Sequence, residues 1–226
     1  MRKTFLSLIL ILCLVSVSFA APSYGTNLPE KNKFIAEFES YSIFGRDLEN
    51  DYGEVKSQQE FFGLSYGVFD WLSIDLKAGA GNIKADPNAS SKVDYPTSFA
   101  GGYGFRLKFY DEEKIKAVIG FQHISVHPKH AHVEGVKNRA ILDDWQVSLL
   151  GSYSLGRVTP YIGARWSRID YIHWTGENRK RIMSDLGKST GLIVGVDLPV
   201  TENIFIDLEG QFFDSEALAC SVKYNF

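Results

Sequence analysis

From Lys33 to the C-terminus the chain alternates apolar and polar residues with period two, and no stretch carries the 3.6-residue stripe of an amphipathic helix. The last segment is the clearest. Leu218, Cys220, Val222, Tyr224 and Phe226 fall on one face of an extended strand, and Ala219, Ser221, Lys223 and Asn225 fall on the other. The same pattern predicts strands near residues 99–109, 145–155, 192–198 and 204–212, and weaker alternation predicts five more near 33–45, 56–68, 71–83, 114–126 and 158–172. That makes ten, or eight if the imperfectly alternating first strand and the strand beginning at Val158 are discounted.

The connections sort into two kinds that take turns along the chain. Short turns surround Phe69-Asp70, Asp111 to Glu113, Gly156-Arg157 and 199–203, whereas polar stretches fill 46–55, 84–96, 127–140 and 173–185, with a brief last one at Asp214-Ser215. This layout predicts an all-β fold, a closed antiparallel up-and-down barrel whose two ends differ. A soluble barrel would turn its apolar face inward. Here the polar face carries charges of both signs, Glu37, Glu39, Asp75, Asp144, Asp197, Asp207 and Glu209 against Lys77, Arg106, Lys108, Lys116, Arg165 and Lys223, as expected of groups paired across a lumen. Glycines are frequent on that same face. Aromatics on the apolar face gather at strand ends, with Trp71, Phe109, Tyr110, Tyr161, Tyr224 and Phe226 at the short-turn end and Phe44, Phe99, Trp145, Trp166 and Phe212 towards the other. Two such girdles fit the two interfaces of a bilayer, so the expected barrel is transmembrane, and closure follows because unpaired backbone groups are costly in hydrocarbon.

Composition then narrows the setting. Of 226 residues, 45% are hydrophobic and 23% charged, too apolar for a disordered chain, and two cysteines are too few for a disulfide scaffold. One apolar run stands apart from the alternation. Arg2 and Lys3, the stretch from Phe5 to Val17 and the small residues of Ser18-Phe19-Ala20 describe an export signal spanning residues 1–20, followed by a short polar segment over 21–33 and the barrel over 34–226. Losing Arg2 and Lys3 with that leader takes the formal charge from −3 to −5, so nucleic acid is not an expected partner. The exported chain keeps a single thiol, Cys220, and nothing in it calls for a cofactor.

Val222-Lys223-Tyr224-Asn225-Phe226 resembles the terminal signature of bacterial outer-membrane β-barrel proteins, with a final aromatic, a second aromatic two residues earlier and apolar residues at alternating positions before them. The small OmpA/OmpX-type barrels are the nearest general comparison. The resemblance implies an outer-membrane location, contact with lipopolysaccharide and other outer-membrane lipid, and recognition of Tyr224 and Phe226 by the barrel-assembly machinery. It leaves open whether an extracellular ligand exists.

Several constellations carry candidate chemistry. The interior charges suit a polar plug, which makes the protein a non-enzymatic scaffold or adhesive barrel, or they line a narrow porin-like channel. Four of the five histidines, His123, His127, His130 and His132, fall within ten residues, and His127, His130 and His132 offer imidazoles to a metal, set against the plainer expectation of an exposed polar loop. Parity places His123 and Ser125 on the outward face of one strand and Asp143 on that of the next, so a Ser-His-acid group would meet outer-leaflet lipid. His123-Ile124-Ser125 is similar to the H-x-S of the lipid A 3-O-deacylase barrels, which implies base, nucleophile and orienting acid as the roles of His123, Ser125 and Asp143. Val126 departs from that pattern, where an Asn follows the Ser. Finally, Arg179, Lys180, Arg181 and Lys188 make the fourth long connection basic, a place for lipopolysaccharide phosphates or simply a solvated charge run.

Overall fold

A computed structural model describes residues 25–226; the expected leader lies outside the described residues. Twelve strands form one sheet, β1 (Phe34–Leu48), β2 (Gly53–Phe69), β3 (Leu72–Pro87), β4 (Val93–Glu112), β5 (Ile115–His127), β6 (Ala131–Val133), β7 (Val136–Tyr153), β8 (Thr159–Thr175), β9 (Asn178–Met183), β10 (Thr190–Pro199), β11 (Ile204–Phe212) and β12 (Glu216–Asn225). All pairings are antiparallel. Ten strands close a ring in chain order, β7 pairing with both β5 and β8, and β12 returning to β1 with Ile35 opposite Asn225 and Tyr41 opposite Ala219. The two remaining strands prolong the wall: β6 pairs with β7 above the end of β5, and β9 pairs with β8 above the end of β10.

The outward face is the apolar one. Phe62 is 68% exposed and Leu76 and Ile162 57% each, while Glu39, Gln146 and Asp207 are fully enclosed. Such polarity is stable only where the outside is itself apolar, so the barrel is built to span a membrane. No helix among the described residues is long and apolar enough to cross one.

The strands outrun the bilayer. A tilted spanning strand needs about 9–11 residues, whereas β2 has 17, β7 has 18 and β4 has 20. Much of what the polar stretches at 46–55, 84–96, 127–140 and 173–185 suggested as loop is therefore strand. Along β3 the reason is visible: Leu72, Ile74 and Leu76 face out and Asp75 and Lys77 face in, but further along Lys84 and Asp86 face out and Ile83 and Ala85 face in. Parity is kept while the chemistry of the two faces exchanges, because the wall passes from lipid into water. Alternation alone does not register that exchange.

Inside the emergent half an apolar cluster forms in consequence. Tyr41, Phe61, Ile83, Tyr95, Ile124, Leu142, Ile169 and Tyr171 pack against one another, joined by a 3.2 Å contact between the Tyr95 and Tyr171 hydroxyls. The inward face is thus polar throughout the half nearer the short turns and largely apolar beyond it. The β6–β7 hairpin turns through Glu134 (φ 52°) and Gly135 (φ 79°), the two left-handed residues that a tight two-residue connection requires.

Candidate functional site

Most of the expected lumen charges do meet. Lys77 reaches Glu39 at 2.5 Å and Glu37 at 3.5 Å, and Lys223 stands 3.9 Å from Glu37 and 3.8 Å from Asp207. Arg106 grips Asp75 through Nη2 at 2.7 Å and Nε at 3.1 Å, and donates to the Ser65 hydroxyl. Asp144 accepts from Gln146 and from the Tyr41 hydroxyl. Buried charges persist when their lone pairs and protons are engaged in this way. Lys108 is a correction: it pairs with Asp111 at the turn into β5, at the rim, outside the network.

Three lumen groups lay outside the expected set. Arg46, 1% exposed, donates to the Asp214 carbonyl, to the Ser167 carbonyl at 2.9 Å and to the Ser184 hydroxyl at 3.0 Å, and pairs with the Asp214 carboxylate at 3.2 Å. The same carboxylate takes Arg165 Nε at 2.6 Å, so two guanidiniums share Asp214. Arg46 and Asp214 belong to stretches that the pattern assigned to connections. A β-bulge between Ile43 and Gly45 adds a residue and shifts the alternation, which turns Arg46 inward. The third is Tyr161, expected in the short-turn girdle and in fact 2% exposed, its hydroxyl donating to Asp207 and Glu209 at 3.0 Å each. Its ring lies over Gly195, where a Cβ would overlap it; the absent side chain leaves space for the ring.

The polar segment before β1 runs into the lumen. Thr26, fully buried, donates to the Ser152 hydroxyl at 2.8 Å; the Asn27 side chain donates to Asp197 at 2.9 Å and its carbonyl accepts from Arg106 at 2.9 Å; Lys116 reaches the Asn27 side-chain oxygen at 3.3 Å. Gly67 fits against the Glu30 carbonyl so closely that a Cβ there would clash with it. Between Glu37, Ser65, Asp75, Lys77, Arg106 and Gln122 lies a void of about 20 Å³, room for one water.

On the outer wall, Ser125 of β5 stands directly opposite Asp143 of β7, as parity predicts, and Asp143 in turn opposite Asp170 of β8. Ser125 Oγ donates to Asp143 Oδ1 at 2.5 Å. The imidazole beside Ser125 is His127, with Nε2 at 2.8 Å from Oγ, whereas His123 stands 3.8 Å from Asp143 and packs against Trp145 and Tyr103 with ring centroids 4.0 and 5.3 Å away. The assigned trio meets at the carboxylate, and the base position next to the hydroxyl belongs to a residue two further along the same face. Of the three imidazoles offered to a metal, His130 and His132 lie edge to face at 5.2 Å and His127 is engaged with Ser125. Among the described residues no three His, Cys, Asp or Glu side chains are arranged to hold a metal ion.

The basic connection disperses. Lys188 pairs with Asp47 and Arg181 with Asp170, while Lys180 lies opposite His173 and Arg179 opposite Trp174. At the C-terminus Tyr224 and Phe226 meet edge to face at 4.8 Å, and the Phe226 amide donates to the Phe34 carbonyl, tying the end of the chain to the seam.

No family model matches the chain, and no curated protein matches it by sequence. Solved structures that resemble it include the translocator domain of the autotransporter NalP from Neisseria meningitidis, at 13% identity and TM-score 0.45, covering 91% of each chain. An outer membrane channel from Pseudomonas putida F1 is similar at 10% identity and TM-score 0.45, over 91% of this chain and 99% of that one. The transport unit of the autotransporter AIDA-I from Escherichia coli is similar at 10% identity and TM-score 0.43, over 89% and 91%.

Proposed function

We propose that the protein is a closed, non-conducting and non-enzymatic scaffold of the bacterial outer membrane, exported by its leader, inserted through its C-terminal Tyr224 and Phe226, and displaying the long-connection end outside. The observation that carries the closed, non-conducting part of this reading is the double filling of the lumen. Residues 25–30 occupy the half near the short turns, and the Arg46–Asp214–Arg165 group with the apolar cluster of Tyr95 and Tyr171 occupies the other. An ion entering this path would have to displace buried ion pairs and then cross an apolar layer. The test is a planar-bilayer recording of the purified full chain: the expected outcome is no conductance above baseline, and stable open steps in the parent protein would overturn the scaffold reading in favour of a channel.

A second reading is favoured by one contact, the 2.8 Å approach of His127 Nε2 to Ser125 Oγ on the lipid-facing wall. For ester cleavage the Ser125 proton, which points to Asp143 here, would turn to His127 as the base and free Oγ to attack an acyl ester of the outer leaflet. This reading predicts loss of fatty acyl groups from lipid A on incubation with the parent protein. The idea fails if Ser125→Ala and His127→Ala proteins yield the same lipid profile as the parent.

A further inference from the structure

The cations at the long-connection end fall into two groups. Lys56, Lys84, Lys92, Arg181 and Lys188 each stand in an ion pair. Lys129, Lys137, Arg139, Arg179 and Lys180 stand in no ion pair among the described residues and share the sector β5 to β9, Lys180 being set across from His173 and the other four lying together. Arg139, Trp174 and Arg179 are successive cross-strand neighbours on β7, β8 and β9, and both guanidiniums sit against the indole, 5.4 and 5.6 Å from its ring. Such stacking holds a guanidinium in place and leaves its N–H fork free for an acceptor. Beside this row His127, Lys129, His130, Lys137, Arg139 and Trp174 line a groove of about 360 Å³. Lys137 lies close enough to the His130 imidazole to push it below its ordinary value. Of the acids on these elements Asp170 is held by Arg181, and Glu134, Asp143 and Glu177, none of them in an ion pair with Lys129, Lys137, Arg139 or Arg179, are outnumbered by those four cations.

Position says which anion would come. On the outward face of β7 the order is Val147, Trp145, Asp143, Ile141, Arg139, Lys137, so the groove opens sideways above the aromatic belt. Arg139 is ~20 Å along the strand beyond Trp145 and ~14 Å above it for a strand tilted about 45°. A long basic side chain at that height, directed along the wall, reaches headgroups standing on the hydrocarbon. We infer that this groove binds the phosphomonoester of an outer-leaflet lipid headgroup, with Lys129, Lys137 and Arg139 as its ligands and the Arg139–Trp174–Arg179 row as its wall. The inference rests on the barrel spanning a membrane and is independent of whether the lumen conducts.

The test uses the full chain in detergent, with diphosphoryl lipid A as probe and the same lipid stripped of phosphate as its control, retained lipid being counted by native mass spectrometry. The expected result is selective retention of the phosphorylated form, weakened about tenfold or more in Lys137→Ala/Arg139→Ala. Lys84→Ala, which removes a cation elsewhere at the same end, should retain it like the parent. Resistance of the barrel to unfolding in dodecyl sulfate establishes that each variant is folded. Equal retention of the stripped lipid, or a folded double variant that binds like the parent, would overturn the assignment. So would displacement of the lipid by dilute inorganic phosphate, which marks a site for the free ion.

Discussion

Asp214 shows how much one side chain can hold. Two guanidiniums, Arg46 and Arg165, meet its carboxylate at 3.2 and 2.6 Å in a fully buried setting, and the Ser167 hydroxyl donates to the same oxygen as Arg165. Removing one partner of a buried pair typically costs about 3–5 kcal/mol, because the survivor is left charged and unsolvated. Asp214→Ala strands two cations, so the expected loss of unfolding free energy, measured by urea titration in detergent, lies at the upper end of that range. A conservative Lys84→Ala change, breaking an exposed pair, should cost under about 1 kcal/mol. Parity made Arg165 legible in the sequence, since even on the imperfectly alternating strand beginning at Val158 it falls in register with Gly163. It did not make Arg46 legible, because the bulge at Ile43 and Gly45 lies between that residue and the alternating part of β1. The Ser125 site shows the same division. Facing strands and shared parity foretold that Ser125 and Asp143 would touch; which imidazole completes the contact depended on side-chain rotation, and Trp145 and Tyr103 hold His123 aside.

At the scale of elements, the segment before β1 gains its place through a few contacts with strands distant in sequence. Its Glu30 carbonyl lies against Gly67 of β2, where no side chain larger than hydrogen fits. Gly67→Val should therefore lever residues 25–30 out of the lumen while leaving the ring of strands closed. In a Cys220→Ser background, a Thr26→Cys thiol should resist maleimide in the otherwise parent barrel and react once Gly67→Val is added; equal reactivity in both proteins would show that the segment is not held there. The ten barrel strands were readable because a period of two survives wherever one face is apolar. Their upper ends were not, since Lys84, Asp86 and Lys137 look like loop residues until the wall is seen to continue into water.

For the whole molecule, the two fillings act in series. Deleting residues 25–30 opens the half of the lumen lined by Asp197, Asp207 and Lys223, but the cluster of Tyr41, Phe61, Ile83, Tyr95 and Tyr171 still closes the other. The truncated barrel is expected to stay silent in a planar bilayer; conductance on truncation alone would show that the apolar layer does not seal. By itself the sequence determined a closed, inside-out ring of ten strands or eight, because alternation, short turns and backbone hydrogen bonding in hydrocarbon admit few other arrangements, and the structure settled on ten. Only the tertiary structure decided what fills the ring and what the outer wall offers. Residues such as Asn27 and Asp197, or Arg139, Trp174 and Arg179, are brought together by closure and register, and local periodicity holds no information about partners across the barrel or about where the wall leaves the lipid.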